Sequence, residues 1–289
     1  MKYREKRDRP HRNGFCVTIS LAIAWFFLSA ASLPISKMSE PALDSYLADL
    51  SVREPNFGAR LVDVARRSLG TPYADGPLGE GPEGKYDKDP LIDLTRVDCV
   101  TFVEQTIALA ASASYETALE TLRGIRYQDG QTSFESRNHF MISDWIANNT
   151  FCRDVTGKLG VPTKTISRKI SRKDFFERVN APELGRDTPD QMIDLVYVAS
   201  ADARSAEKNL PSMALIVFAG KVDWLFALHC GFHLRDEHGE GLLYHASSKA
   251  GRVVAESLVD YLEESTRYLG FTAYNITEPE VAPRVPATR

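Results

Sequence analysis

The chain has 289 residues, 43% of them hydrophobic and 26% charged, with a formal net charge of −4. This is ordinary globular composition, long enough to bury a substantial core. With this mild acidity nothing suggests nucleic-acid binding, and the run of basic residues at the extreme N-terminus is a targeting feature and not a binding patch.

Lys2, Arg4, Lys6, Arg7, Arg9 and Arg12 precede an apolar stretch over residues 15–31, with small residues at Ser29 and Ala31 and Pro34 beyond. This predicts a secretory signal over residues 1–31, with an uncleaved anchor as the alternative, and places the rest outside the cytoplasmic membrane. After the signal the pattern predicts helices over 41–50 and 57–69, the second closed by Gly70 and broken by Thr71-Pro72-Tyr73. Residues 73–91 are rich in glycine, proline and charge and read as a loop. Asp98 is an N-cap for a helix that begins at Cys99 and runs to Ala110. Further helices are expected over 115–122, around 137–147, and over 175–179 with a capped start at Ser171. From residue 193 the character changes, with short β-rich runs at 193–198, 213–219, 227–234, 242–247 and 268–276. Helices followed by strands imply an α+β class, a single domain over 40–277 and a disordered tail over 278–289.

A thiol in the first turn of a helix faces unpaired amides and the positive end of the dipole, which favours the nucleophilic thiolate. Cys99 is therefore the candidate nucleophile. His229 is the candidate general base, on a strand whose next residues, Cys230 and Gly231, point elsewhere or leave room for a neighbouring backbone. His245, on the following strand, is the candidate group that orients it, as a cross-strand neighbour. Cysteine early and histidines late is the order of papain-like hydrolases. Once Cys16 leaves with the signal, Cys99, Cys152 and Cys230 remain, an odd number, so at least one thiol is free and a Cys152–Cys230 bridge stays open.

The motifs Leu69-Gly70-Thr71-Pro72-Tyr73, Asp98-Cys99, His229-Cys230-Gly231-Phe232 and His245-Ala246-Ser247 resemble those of the NlpC-type cell-wall hydrolases. The run from Asp98 to Glu104, with Arg137-Asn138-His139-Phe140 and Asp144-Trp145, is similar to one branch of them, the N-acetylmuramoyl-L-alanine amidase-like family. The resemblance spans roughly residues 57 to 275. It implies a papain-like fold with the nucleophile helix packed on a small antiparallel barrel, and Cys99, His229 and His245 as catalytic residues. It further implies a site lined by Tyr73, substrate contacts from Arg137 and His139, and no cofactor. The implied substrates are peptidoglycan fragments (muropeptides), cut at the amide between N-acetylmuramic acid and L-alanine. Two features depart from the family: Ser212-Met213 stands where a Gly-Asp pair is usual, and the approach to His229 over 222–228 is bulkier and more apolar.

Three other readings compete. A zinc site could draw on His229, His233, His238, His245 and Cys230, but His229 and His233 on one strand stand about 13 Å apart, too far to share a metal with bonds of about 2 Å. A non-catalytic muropeptide-binding module would not require Cys99, His229 and His245 together. An endopeptidase cutting between D-glutamate and the diamino acid of the stem peptide remains the nearest enzymatic alternative.

Overall fold

The computed structural model describes residues 33–221, 227–236 and 238–280. Helices α1 (Glu40–Arg53), α2 (Phe57–Arg67), α3 (Cys99–Ala110) and α4 (Tyr115–Arg126) occupy the first half. Their starts are chemically marked. The Asn56 side chain accepts from Ala59 N, and Asp98 and Ser114 form capping boxes with Thr101 and Thr117. α4 runs past the expected residue 122 because Ile125 and Arg126 are themselves buried. The helix expected over 137–147 is instead a π-helical turn, Met141–Ile146, in which Asp144 N and Trp145 N both bond to Phe140 O at 2.9 and 3.0 Å. Its N-terminal part is diverted by pairing: Asn138 N donates to Arg126 O at 2.9 Å and Arg137 bridges Tyr127.

The second half contains β1 (Cys152–Asp154), β2 (Thr163–Ile170), α5 (Arg172–Arg178), α6 (Pro182–Gly185), β3 (Gln191–Ala199), α7 (Ala203–Ala206), β4 (Met213–Gly220), β5 (Ala227–Arg235), β6 (Gly241–Ser247), β7 (Arg252–Glu256), α8 (Leu258–Glu264) and β8 (Tyr268–Ile276). The eight strands pair in the order β2-β3-β8-β4-β5-β6-β7, with β1 also against β8, and every pairing is antiparallel. The path has two ends, β2 and β7, so among the described residues the strands form an open sheet and not the small closed barrel expected. β1, β2 and β7 were not expected as strands. β2 is largely exposed and carries Lys164, Arg168 and Lys169, and β7 has five residues, so neither shows a buried alternation.

Both faces of the central strands are covered, which is why β4 reads as an unbroken apolar run. Leu215 and Val217 join Phe232, Tyr274 and the helices on one side; Ile216 and Phe218 join Leu243, Ala273, Leu258 and Leu262 on the other. α3 lies in the first of these cores, buried from Thr101 to Ala110. It packs across β5 and β6, with the Phe102 ring edge-on to Phe232 at 5.8 Å between centroids. The residues where the expected tail begins are engaged with the rest of the chain: Thr277 N donates to Phe151 O at 3.0 Å, and Glu278 pairs with Arg60. The expected signal over 1–31, the bulky approach at 222–226 and the tail over 281–289 lie outside the described residues. Among those described, no helix is long and apolar enough to cross a membrane.

Candidate active site

Cys99 is the first residue of α3. The Asp98 carboxylate accepts from Thr101 N at 2.7 Å and from the Thr101 hydroxyl at 2.8 Å, while its other oxygen accepts from Gly76 N at 3.2 Å. In return, Asp98 N donates to the Thr101 hydroxyl oxygen at 2.8 Å. The helix therefore begins at a fixed point, and the Cys99 amide at N1 has no intrahelical acceptor. The thiol is held well below its ordinary pKa by hydrogen bonding with the Cys230 thiol, and by hydrogen bonding with and the charge of the His229 imidazole, against the opposing effect of burial. Cys230 is driven up in return, by its bond with Cys99 and by burial, and donates to Cys99 O at 3.3 Å. The helix end alone was expected to acidify the thiol; two neighbours from β5 add to it.

β5 carries those neighbours on alternate faces. Cys230 enters the core beneath α3, while His229 stacks on Phe218 at 5.6 Å, 28° from parallel. A register shift in the β4–β5 ladder between Phe218 and Ala219 falls beside His229, the kind of irregularity that re-aims a strand side chain. His245 is fully buried on β6, and its Nδ1 lies 2.7 Å from His229 Nε2. Gly231 makes that approach possible: a Cβ there would come within 2.7 Å of both His245 Cβ and Tyr244 O. On the far side, His245 Nε2 lies 2.7 Å from Glu256 Oε1. The polar side chains thus form a string running Cys99, His229, His245, Glu256. The Tyr261 ring closes over it, 4.8 Å from His245 and 5.9 Å from His229, and its hydroxyl bonds that of Tyr268 at 2.8 Å.

Tyr73 is brought to the same mouth. Val97 N donates to Pro72 O at 2.9 Å and Ala74 N to Val97 O at 3.0 Å, which pairs the Tyr73 backbone with the residue just before Asp98-Cys99. Its phenol is pushed up to about 12 by burial and by the nearby charges of Cys99, Asp75 and Asp98, so it stays protonated and able to donate. Arg137 and His139 stand in a different cluster. Arg137 donates to Glu80 at 2.8 Å and to Asp87 at 2.9 Å, tying down the glycine-rich loop; a Cβ on Gly79 would meet Asp87 Oδ1 at 2.2 Å. His139 Nε2 bonds Phe134 O at 2.7 Å among the rings of Phe134, Phe175 and Phe176, and burial pushes its pKa down to about 4. Both side chains therefore engage protein partners, on elements distinct from those that carry the string. Asp144 pairs with Arg172, and Trp145 Nε1 donates to Glu104 at 3.0 Å.

Cys99, Cys152 and Cys230 are all free thiols, so the Cys152–Cys230 bridge left open by sequence is not formed. His233 is fully buried in β5, with Nε2 3.3 Å from Glu207, and among the described residues no group of three or more His, Cys, Asp or Glu is arranged to hold a metal ion. Glu256 was not singled out by the sequence, and Cys230 only as a donor for the competing zinc reading. The only signal for Glu256 is its position on β7: Val254 stands opposite His245, so Glu256, two residues on, shares that face.

The site thus joins a buried histidine pair to an acidified thiol at a helix start, on an antiparallel α+β frame. The N-acetylmuramoyl-L-alanine amidase-like (AmiA-like) family model matches residues 63–271, and the chain belongs to that family. No curated protein matches the sequence. Among solved structures, a Legionella pneumophila protein carrying the DUF1460 family model is similar at 22% identity and a TM-score of 0.73, over 84% of this chain and 98% of its own. An N-acetylmuramoyl-L-alanine amidase from Bacteroides uniformis is similar at 23% identity and a TM-score of 0.59, over 76% of this chain and 99% of its own. These likenesses concern the fold.

Proposed function

We propose that the protein is a cysteine amidase of the NlpC-type, papain-like group, cleaving the amide between N-acetylmuramic acid and L-alanine in peptidoglycan fragments outside the cytoplasmic membrane. The observation that carries the reading is the acidified Cys99 thiol joined to His229, itself backed by His245. The membership of the amidase-like family supports the substrate, and the basic and apolar N-terminus supports the location. Cys99 thiolate attacks the lactyl carbonyl carbon, and the displaced π electrons form an oxyanion that the free Cys99 amide and the Tyr73 hydroxyl are placed to receive. His229 then gives its proton to the L-alanine nitrogen as the C–N bond breaks, leaving a thioester. Water, deprotonated by His229, attacks the thioester carbonyl; the C–S bond breaks, the lactyl carboxylate leaves, and the thiolate–imidazolium pair is restored. Arg137 and His139 act in this reading by shaping the wall contributed by the loop over residues 76–91.

Incubation with defined muropeptides followed by mass spectrometry tests the proposal. Free stem peptide bearing an L-alanine N-terminus is expected, and Cys99→Ala should lower turnover at least about a thousandfold while circular dichroism stays unchanged. Products cut after D-glutamate would instead establish the endopeptidase, and intact substrate with retained binding would establish a non-catalytic module.

A further inference from the structure

We propose that Glu256 is a positioning residue that fixes the tautomers of the histidine string: by accepting from His245 Nε2–H, it leaves His245 Nδ1 as the acceptor for His229 Nε2–H. The proposal rests on Cys99 and His229 being the reactive pair. Among the described residues, the two nitrogens of His245 meet only His229 and Glu256, each at 2.7 Å, and the rest of the ring is enclosed, with Tyr261 against it. Burial, followed by the charge of His229, pushes the His245 pKa down to about 3. The ring therefore carries one proton shared between two possible positions. An ionised carboxylate can only accept, so the proton stays on Nε2. His229 must then present Nε2–H to His245, which turns its Nδ1 lone pair towards the thiol. Once His229 has taken the thiol proton, the same His245 lone pair supports the imidazolium.

Glu256 is itself held in place. β7 is braced on its outer side, with Gly70 N donating to Val253 O at 2.9 Å and Val253 N to Thr71 O at 2.8 Å. Its side chain is 41% exposed, and the charged groups around it are Glu264 and Asp260 from α8, Lys249 from the β6–β7 turn, and His229 from β5. The two acids repel it and do not compete for His245. Without Glu256, the His245 proton is free to move to Nδ1. His229 Nε2 must then become an acceptor, and its proton moves to Nδ1, where it faces the sulfur and cannot receive a second.

Three readouts separate this from a merely structural role. In Glu256→Ala, kcat on muropeptide should fall about tenfold or more with KM little changed. The pH midpoint for iodoacetamide alkylation of Cys99 should rise by about half a unit, a modest shift because the carboxylate is partly exposed. Glu256→Gln, whose amide oxygen still accepts from Nε2–H, should recover most of both losses. In the wild type, nitrogen NMR of the histidines should show His245 in the Nε2–H form. An unchanged alkylation profile and kcat in Glu256→Ala, a Gln variant as impaired as the Ala variant, or an Nδ1–H tautomer in the wild type would overturn the proposal. Should Glu256→Ala fail to fold, the Gln variant and the NMR carry the test. If the wild type releases no stem peptide, the proposed function fails, while alkylation and NMR still decide the role of Glu256.

Discussion

Asp98 meets two conflicting demands. As N-cap it accepts the Thr101 amide at 2.7 Å, a contact worth about 1 kcal/mol. As neighbour of the thiol it is pushed up to about 6, chiefly by burial and then by the charge of Cys99. A carboxyl whose pKa rises on folding holds its proton more tightly in the folded chain. From about pH 4 to about 6 the unfolded chain has released a proton that the folded one retains, so stability falls as pH rises through that window. Below it both states are protonated and above it both are ionised, and this group adds no slope. Asp98→Asn keeps the acceptor for Thr101 and does not titrate; turning its amide N–H towards Gly76 N imposes an offset that does not vary with pH. Urea denaturation across the range should therefore show the wild type losing up to about 3 kcal/mol relative to the variant between pH 4 and 6. Parallel stability curves would mean that Asp98 ionises in the folded protein as easily as in water.

At the scale of elements, α3 is pinned by a buried ion pair as well as by its cap. Arg126 of α4 reaches Glu104 through Nε at 2.9 Å, with both side chains 4% exposed, and Trp145 Nε1 donates to the other carboxylate oxygen. One acid thus joins α3 to α4 and to the π-helical turn. Arg126→Met should destabilise by about 3–5 kcal/mol in urea denaturation, because it strands a buried carboxylate. Adding Glu104→Gln, which removes that charge and keeps an acceptor for Trp145, should recover most of the loss. A single variant costing under about 1 kcal/mol would show that the pair does not hold α3. This also marks where sequence reading stops. The start and end of α3 were legible because cap, thiol and apolar run are local, and the strands that carry His229 and His245 were legible because each has a recognisable β pattern. Glu104 lay within the expected helix, yet its partners are on two other elements that no local pattern joins to it. Glu256 was hidden for a related reason: β7 is a five-residue strand defined only by its pairing with β6 and by the brace from Thr71. The π-helical turn, too, follows from contacts made by Asn138, Asp144 and Trp145 with distant chain, and not from their own periodicity.

Across the whole molecule, the thiol and the groups that acidify it come from opposite halves of the chain. Cys99 heads a helix in the first half, whereas Cys230, His229, His245 and Glu256 lie on three strands of the second. If the helix end alone activated the sulfur, activation would survive as long as α3 did. If the partners on β5 matter, it exists only while the sheet is docked. The other thiols make the distinction measurable: burial pushes Cys152 up to about 12, and Cys230 is raised as well, by its bond with Cys99 and by burial. In the folded protein Cys99 is then the most acidic of these three thiols, and in the unfolded chain all return to about 8.5 and react slowly below that pH. Unfolding should therefore slow alkylation, the reverse of the usual effect of exposing a half-buried group. With the adduct mapped to Cys99 by peptide mass, the alkylation rate against urea concentration should fall with the same midpoint as the circular dichroism signal, as one cooperative transition requires. A rate that falls well before the helical signal would mean that the sheet half leaves α3 first. A rate that persists beyond that signal would mean that the thiol owes its reactivity to local sequence and not to the assembled site.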